Sequence, residues 1–263
     1  MIRLFRIAPE GFYAATEPES NELRVLYSDP FETLPGGWEY GRTVDPGSAA
    51  YLAPVAPSKI IGIGRNYREH AQELGNEMPA EPLIFLKAPS AVIGPRRPIV
   101  LPPESGQVEF EGEIAVVLRD RLRRATPEEA QSAILGVVPA CDVTARDLQK
   151  RDATFARAKS FDTFCPLGPA IGMGPDLDDL TVITRVNGIE RQRGHTRDMA
   201  FGIVDLLVYA SRMMTLEAGD VLLTGTPAGV GPLADGDVVE VEIPGVGVLE
   251  NPVEGWRGSR GSS

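Results

Sequence analysis

The sequence predicts an α+β fold: a β-rich mixed sheet with a small N-terminal subdomain. Apolar runs of strand length outnumber helical segments, and the two do not alternate as they do in a doubly wound sheet. The first ~55 residues differ from the rest, because short strand-like pieces are broken there by glycine- and proline-containing turns. We therefore expect a subdomain at 1–55, a main domain at 56–257 and a disordered, polar tail at 258–263.

The predicted elements follow in chain order. IRLFRI and ELRVLY are short strands, KIIGIG is a β-branched strand, and PLIFLKAPSAVIG is another. NYREHAQELG lies between the last two and has the pattern of a short amphipathic helix that ends at Gly75. GEIAVVL is a buried strand.

The second half contains three predicted helices. TPEEAQSAI begins with Thr126 as N-cap and Pro127 at the first helical position, which is a strong start signal. The apolar run ILGVVPACDV leads into a charged helix, TARDLQKRDATFA, and the third helix starts near Met199 and runs through VDLLVYASRMM. The strand TVITRVNG, the strand and glycine loop VLLTGTPAGVG and the meander DVVEVEIPGVGVLENPV complete the fold.

Composition excludes several classes of function. The 37 acidic residues exceed the 26 basic ones, so the average surface repels nucleic acids and anionic membranes. No segment has the roughly 18 uncharged apolar residues of a membrane span. Cys141 and Cys165 lack CxxC spacing and lie in apolar surroundings, which indicates buried thiols in a reducing compartment; we expect a cytoplasmic protein.

Carboxylates enter a buried strand in VEFEGEIAVVL, residues 108–118. Glu111 and Glu113 share a strand face about 7 Å apart, within reach of one ion. A solvated strand face would explain most such pairs. However, residues 114–118 are apolar on both faces, so Glu113 is expected near the buried sheet, where an unpaired carboxylate is costly and a cation would offset the cost.

A third oxygen ligand is available in Asp142, where the apolar run gives way to a helix. An acidic residue at this boundary could equally cap backbone N–H groups. Three carboxylates without paired histidines or thiolates suit Mg²⁺, Mn²⁺ or Ca²⁺ better than Zn²⁺.

His70 and Glu73 are spaced i, i+3, so the carboxylate can orient the imidazole as a general base. A surface helix with an accidental neighbour is the alternative. The second histidine, His195, is predicted to be a solvated loop residue. Lys87 and Lys159 stand at the edges of apolar segments, where a lysine can stabilise an oxyanion or extend to water.

Two glycine-containing segments lack known nucleotide signatures. TGTPAGVG does not end in the G-K-[ST] of a phosphate loop. GIGRNY has Tyr67 in place of the third glycine of a dinucleotide fingerprint. Both are predicted to form turns.

Seven segments together resemble the fumarylacetoacetate hydrolase family, in its order and spacing from about residue 60 to 250. They are GIGRNYREHAQE, PLIFLKAPSAVIGP, EGEIAVVL, CDVTARDLQ, AKSFDTFCPLGPAIG, VNGIERQ and LLTGTPAGVGPL. The resemblance implies that Glu111, Glu113 and Asp142 bind Mg²⁺ or Mn²⁺, with Ca²⁺ as a further candidate, and that water completes the shell.

The resemblance also implies roles for other residues. His70 and Glu73 match the dyad of a lid, Lys159 matches the lysine that steadies an enolate, and Thr226 matches a threonine that touches substrate. Lys87, at the edge of its apolar segment, is also expected to contact substrate. The predicted lid, residues 68–82, should be mobile without ligand. A homodimer is implied as well.

The function implied is metal-dependent isomerisation or tautomerisation of small 2-oxo dicarboxylates, as in 2-hydroxyhepta-2,4-diene-1,7-dioate isomerases and oxaloacetate tautomerases. Oxaloacetate decarboxylation and hydrolysis of acylpyruvate or fumarylacetoacetate remain alternatives. A non-catalytic metal- or ligand-binding module on the same fold is an alternative of another class.

Overall fold

The computed structural model describes residues 1–16, 22–73 and 75–258. The predicted fold class is confirmed, since strands dominate the described residues. The strands are β1 (Ile2–Ile7), β2 (Phe12–Thr16), β3 (Leu23–Leu26), β4 (Tyr40–Val44), β5 (Ile60–Gly64), β6 (Leu83–Lys87), β7 (Val92–Ile93), β8 (Ile99–Leu101), β9 (Val108–Phe110), β10 (Gly112–Leu118), β11 (Ile134–Cys141), β12 (Thr144–Ala145), β13 (Cys165–Pro166), β14 (Ala170–Met173), β15 (Thr181–Val186), β16 (Ile189–His195), β17 (Val221–Leu223), β18 (Gly231–Pro232), β19 (Val238–Ile243) and β20 (Gly247–Gly255). The helices are α1 (Arg68–Glu73), α2 (Pro127–Ser132), α3 (Arg146–Arg151), α4 (Ala156–Lys159) and α5 (Ile203–Met213). The tail predicted at 258–263 lies outside the described residues, apart from Gly258.

A ten-stranded sheet organises the molecule, in the order β4-β3-β2-β1-β14-β11-β10-β17-β5-β6. Strand β10 lies inside it and is buried along its whole length, as expected for an apolar strand covered on both faces. The pair β17·β5 is parallel, with Leu222 opposite Ile61. The carboxyl ends of these two strands therefore lie at the same sheet edge, and the loops that follow them emerge side by side.

Smaller sheets pack around this one. A five-stranded sheet, β16-β15-β19-β20-β8, lies against β10 and β11 and completes the core. A further sheet has three strands, β12-β9-β18. Its strand β9 directly precedes β10 in the chain, and only Glu111 separates the two strands. The predicted strand at 108–118 is thus two strands, which belong to different sheets.

The N-terminal strands continue the large sheet. Strand β1 pairs with β14, with Leu4 opposite Ile171. Residues 1–55 therefore share backbone hydrogen bonds with the rest of the chain, and the domain boundary near residue 55 stays a prediction.

The helix predictions had mixed outcomes. Helix α2 begins as predicted, with a capping box between Thr126 and Glu129. The single helix predicted at 144–156 is wrong: Thr144 and Ala145 pair with β9 instead, and the helical part breaks at Asp152, whose carboxylate accepts hydrogen bonds from Arg157. None of the described helices has both the length and the apolar character needed to cross a bilayer.

The last helix, α5, starts at Ile203 rather than near Met199. The preceding residues are held extended by Asn66, whose backbone oxygen accepts from Ala200 N at 2.7 Å and whose side-chain oxygen accepts from Phe201 N at 2.9 Å. These tertiary hydrogen bonds explain why the helix begins at Ile203 and not near Met199.

Candidate active site

The sheet register brings the predicted acidic residues together. Gly112 of β10 pairs with Cys141 of β11, and the next residues along continue the ladder because Asp142 N donates to Glu111 O at 2.8 Å. Glu113 follows on β10. The three carboxylates thus converge because Glu113 lies on β10, Glu111 directly precedes β10, and Asp142 directly follows the neighbouring antiparallel strand β11.

One oxygen from each of Glu111, Glu113 and Asp142 lies within 4.8 Å of the others, and all three residues are buried. Three buried carboxylate oxygens at this spacing form a donor set that can hold a hard divalent cation. The structure therefore places together the three residues that the sequence predicted as ligands.

Three buried cations surround two of these carboxylates. Lys159 Nζ donates to Glu111 Oε2 at 2.7 Å and to Asp142 Oδ2 at 2.6 Å. Arg146 Nη2 donates to Glu111 Oε1 at 2.5 Å and its Nε donates to Glu109 Oε2 at 2.7 Å. Glu109 thus lies outside the carboxylate group and pairs with Arg146.

Lys87 is the third of these cations and does not line the cavity described below. Its Nζ donates to Asp142 Oδ1 at 2.5 Å and to Val143 O at 3.3 Å, and its side chain is fully buried. It does not extend to water in this arrangement, and its assignment as a substrate contact stays a prediction. Its contact orients Asp142 instead.

Glu113 differs from the other two carboxylates. Its only hydrogen bond among the described residues comes from the backbone, Gly225 N to Oε2 at 2.7 Å. Burial, with the negative charges of Asp142 and Glu111, raises the pKa of Glu113 well above its usual range. An unpaired carboxylate in this position is the observation that best fits a cation bound beside it.

Glu111 shows the opposite shift. Burial on its own raises the pKa of Glu111, but the charges of Lys159 and Arg146 outweigh burial and lower it. Burial on its own lowers the pKa of Lys159, but the carboxylates of Asp142 and Glu111 outweigh burial and raise it. Glu111 and Lys159 are therefore both charged at neutral pH.

A cavity of about 260 Å³ opens onto this group. Its polar lining includes Glu111, Glu113, Lys159, His70 and Thr226. Phe85 and Phe155 form an apolar side, with ring centroids 5.8 Å apart, and Lys159 Nζ lies 5.0 Å from the Phe85 centroid. Apolar walls strengthen electrostatic interactions inside the cavity, because little water screens them.

The predicted dyad lies on α1. His70 Nδ1 is 3.3 Å from Glu73 Oε2, and the imidazole is buried. Both carboxylate oxygens of Glu73 accept from Gly229 N at 3.1 Å, which ties α1 to the loop after β17. Glu73 thus contacts Nδ1 of His70 and not Nε2, and His70 lines the cavity.

Gln192 is a functional candidate that sequence reasoning missed. Its Oε1 accepts from Gly112 N at 2.9 Å, and its Nε2 donates to Thr226 Oγ1 and Pro227 O, both at 2.8 Å. Thr226 Oγ1 in turn donates to Gly112 O at 2.8 Å. Gln192 therefore joins the acidic segment to the loop that carries Thr226. A buried amide on an otherwise charged strand was the only available signal.

Arg146 was also missed, although its position in ARD, directly after the buried residues Asp142 to Ala145, was a usable signal. His195 differs from its prediction as a solvated loop residue: it ends β16, and its ring contacts Asp179 and Arg197. Its side chain is 18% exposed. Cys141 and Cys165 are buried free thiols, as predicted, and burial raises the pKa of each to about 12.

Comparison with known proteins identifies the family. The family model described as "Fumarylacetoacetate (FAA) hydrolase C-terminal" matches residues 59–254. The chain is 43% identical to the oxaloacetate tautomerase YcgM of Escherichia coli over 195 residues, which is 72% of this chain and 89% of that protein.

Solved structures agree in fold. The 2-hydroxyhepta-2,4-diene-1,7-dioate isomerase from Mycobacterium marinum has a TM-score of 0.87 and 40% identity, covering 97% of this chain and 99% of that one. A fumarylacetoacetate hydrolase from Exiguobacterium antarcticum has a TM-score of 0.82 and 38% identity, covering 97% and 100%. The chain therefore belongs to the fumarylacetoacetate hydrolase family of enzymes.

Proposed function

We propose that the protein is a divalent-metal-dependent tautomerase or isomerase of small, enolisable 2-oxo dicarboxylates. The observation that carries the metal assignment is the buried Glu113 carboxylate, which lies beside two further carboxylates and has no cationic partner among the described residues. Relatives named for tautomerisation and isomerisation support the reaction class. Mg²⁺ and Mn²⁺ suit the donor set, and Ca²⁺ is a third candidate.

Glu111, Glu113 and Asp142 would hold the ion. A divalent ion in this place polarises the 2-oxo group of a substrate and stabilises the negative charge of its enolate. Lys159 adds a fixed positive charge on the same side of the cavity. Lys87 keeps Asp142 oriented from behind, as a positioning residue.

His70 is the proton carrier in this proposal. Tautomerisation moves one proton between the oxygen at C2 and the carbon at C3, so one base that accepts and returns it is sufficient. His70 Nε2 takes and returns that proton, while Glu73 orients the ring through Nδ1. Thr226 lines the cavity and positions the substrate.

The test compares three substrates after chelation and readdition of metal. Chelated protein should be inactive, and Mg²⁺ or Mn²⁺ should restore conversion of enol-oxaloacetate or of a 2-hydroxydiene dioate, followed by ultraviolet absorbance. If acetylpyruvate is cleaved faster than either of the other two substrates is converted, the result would favour a hydrolase instead. Full activity after complete metal removal would contradict the metal assignment.

Glu113→Gln separates catalysis from simple metal or ligand binding. The substitution removes the charge and nearly preserves the shape, so the fold should be retained while Mn²⁺ affinity and turnover are lost. Glu254→Gln, on the exposed part of β20, is the matched control and should behave as wild type. A wild-type protein that binds Mn²⁺ but converts none of the substrates would favour the non-catalytic module.

Assembly and location are expectations from the resemblance and the composition. A homodimer should appear in sedimentation velocity at micromolar concentration. The two buried thiols suit a reducing compartment such as the cytoplasm.

A further inference from the structure

The cavity holds a cation that the proposed chemistry does not use. Arg65 follows β5, lines the cavity and is half-buried. It makes no side-chain hydrogen bond or ion pair with any residue that the structure describes, whereas the other arginine in the cavity, Arg146, is engaged by Glu109 and Glu111. Arg65 is therefore available to a ligand.

The backbone at Arg65 is unusual and firmly held. Its φ is +57°, in the left-handed region that a non-glycine residue seldom adopts. The next residue, Asn66, enforces this turn: its Nδ2 donates to Thr224 O at 2.8 Å and to Phe201 O at 3.1 Å. A strained conformation that the surroundings over-determine fixes where the side chain starts.

The place of the turn also matters. Arg65 and Thr226 leave the parallel strands β5 and β17 at the same sheet edge. Gly225 packs so closely on Asn66 that a Cβ there would lie 2.8 Å from Asn66 Cβ. Arg65 and the substrate-side loop are thus held as one unit at the cavity.

Charge balance calls for a cation at this place. In the buried group, the four carboxylates of Glu109, Glu111, Glu113 and Asp142 face three cations, so a divalent ion leaves one positive charge for the substrate. An oxo-monocarboxylate neutralises that charge. A dicarboxylate adds a second negative charge, which needs a partner in a cavity with apolar walls.

We propose that Arg65 is the specificity-determining residue that binds the distal carboxylate of a dianionic substrate. Its planar guanidinium can offer two parallel N–H groups to a carboxylate. Lys150 also lines the cavity, but it is exposed on α3 and is the weaker candidate. This inference rests on the proposed function, because it names the substrate class of the same site.

The test uses oxaloacetate and its 4-ethyl ester, which keeps the 2-oxo acid but lacks the distal charge. With Mg²⁺ present, each compound displaces oxalate from the protein, and the ratio of the two dissociation constants is measured without need of turnover. Wild type should prefer the diacid by about tenfold or more. Arg65→Ala and Arg65→Gly should bring the ratio close to one, and Arg65→Lys should restore part of it.

The variants separate side chain from backbone. Arg65→Gly removes the guanidinium and also relaxes the left-handed turn, so agreement between Gly and Ala variants assigns the effect to the side chain. Arg96→Gly is the matched control, since Arg96 has φ +61° and does not line the cavity. Unchanged oxalate affinity shows that each variant keeps the ion site.

The outcomes are distinguishable. A ratio that is the same in wild type and the Arg65 variants overturns the inference, as does a ratio that collapses in Lys150→Gln instead. Preference for the diacid without conversion of either compound supports the role of Arg65 and contradicts the proposed tautomerase activity. Failure of both compounds to displace oxalate overturns both proposals.

Discussion

Gly225 donates its backbone N–H to Glu113 Oε2 at 2.7 Å, which joins the loop after β17 to the carboxylate that lacks a cationic partner. Gly225 has φ +99°, and a Cβ there would also lie 3.3 Å from Ile63 O. The bond can form only while the loop keeps this tight, left-handed course. The geometry of the loop and that of the proposed ion ligand are therefore coupled.

Gly225→Ala should weaken metal binding. The added methyl forces the loop away from Asn66 and withdraws the N–H from Glu113, and loss of such an outer contact costs about tenfold to a hundredfold in metal affinity. Mn²⁺ titration by electron paramagnetic resonance measures it. Gly236→Ala is the control, because Gly236 has φ +91° but open space around it. Equal Mn²⁺ affinity in the two variants would contradict the coupling.

Gln192→Glu should lower kcat/KM by about tenfold or more. The carboxylate still accepts from Gly112 N but cannot donate to Thr226 or Pro227, so buried acceptors face each other. Stability should fall by about 1–3 kcal/mol, read from urea denaturation. Gln131→Glu, exposed on α2, serves as the matched control. Wild-type kinetics in Gln192→Glu would show that the position of the Thr226 loop does not depend on the hydrogen bonds of Gln192.

The lid prediction concerns residues 68–82. Oxalate with Mg²⁺ should slow proteolysis within this segment, because ligand contact at His70 favours the docked position of α1, which Glu73 already ties to Gly229. Mass spectrometry of early fragments locates the cuts. Identical cutting with and without oxalate would contradict closure over substrate.

Asp220 links the starts of the two parallel strands, and its removal should destabilise the fold in a pH-dependent way. Its carboxylate accepts from Ser58 Oγ at 2.7 Å, Lys59 N at 3.0 Å and Glu217 N at 2.7 Å, and it pairs with Lys59 Nζ. Burial alone raises the pKa of Asp220, but these hydrogen bonds outweigh it and hold the pKa below its usual range.

A lowered pKa in the folded state means that this carboxylate stabilises the protein above the unfolded-state pKa, about 3.9, and that the effect is lost as pH falls through the folded-state value. Asp220→Asn should therefore lower the free energy of unfolding by about 1–3 kcal/mol at pH 7, and the difference should shrink below about pH 4. Denaturant titrations at a series of pH values measure it. A constant difference would exclude this linkage.

Thr184→Val should leave stability unchanged or raise it slightly. Thr184 Oγ1 is buried and has no hydrogen-bond partner among the described residues, so the hydroxyl carries a desolvation cost that valine of similar shape avoids. Differential scanning calorimetry gives the change in Tm. A clear loss of stability would reveal a partner for this hydroxyl, such as an ordered water.

Local patterns made the three carboxylates candidate ligands, and the family resemblance singled them out, but neither predicted their surroundings. Glu111 and Glu113 followed from the two-residue period of a strand, and Asp142 from the end of an apolar run. The contacts of Arg146 and Gln192 could not be predicted, because their partners are set by which strands become neighbours, and strand order is not a local property. Sequence reasoning could name the carboxylates and two of the nearby lysines, but not the ion pairs between them.

The helix predicted over 144–156 is wrong for a similar reason: the backbone pairing of this segment depends on a strand that is distant in sequence. The segment has good helix formers, yet Thr144 and Ala145 gain strand partners on β9, which propensity alone does not register. The shift of the α5 start has the same cause, since Asn66 is far away in sequence.

The three carboxylates lie on or directly beside β10 and β11, two strands that are neighbours in sequence as well as in space and are connected through α2. The residues that would meet the organic part of a substrate come instead from β5, α1, α4 and the turn after β17. The three carboxylates therefore come from one contiguous part of the chain, whereas the rest of the cavity lining comes from several separate segments. Substitutions in those separate segments can therefore alter the shape and charge of the cavity without changing the three carboxylates.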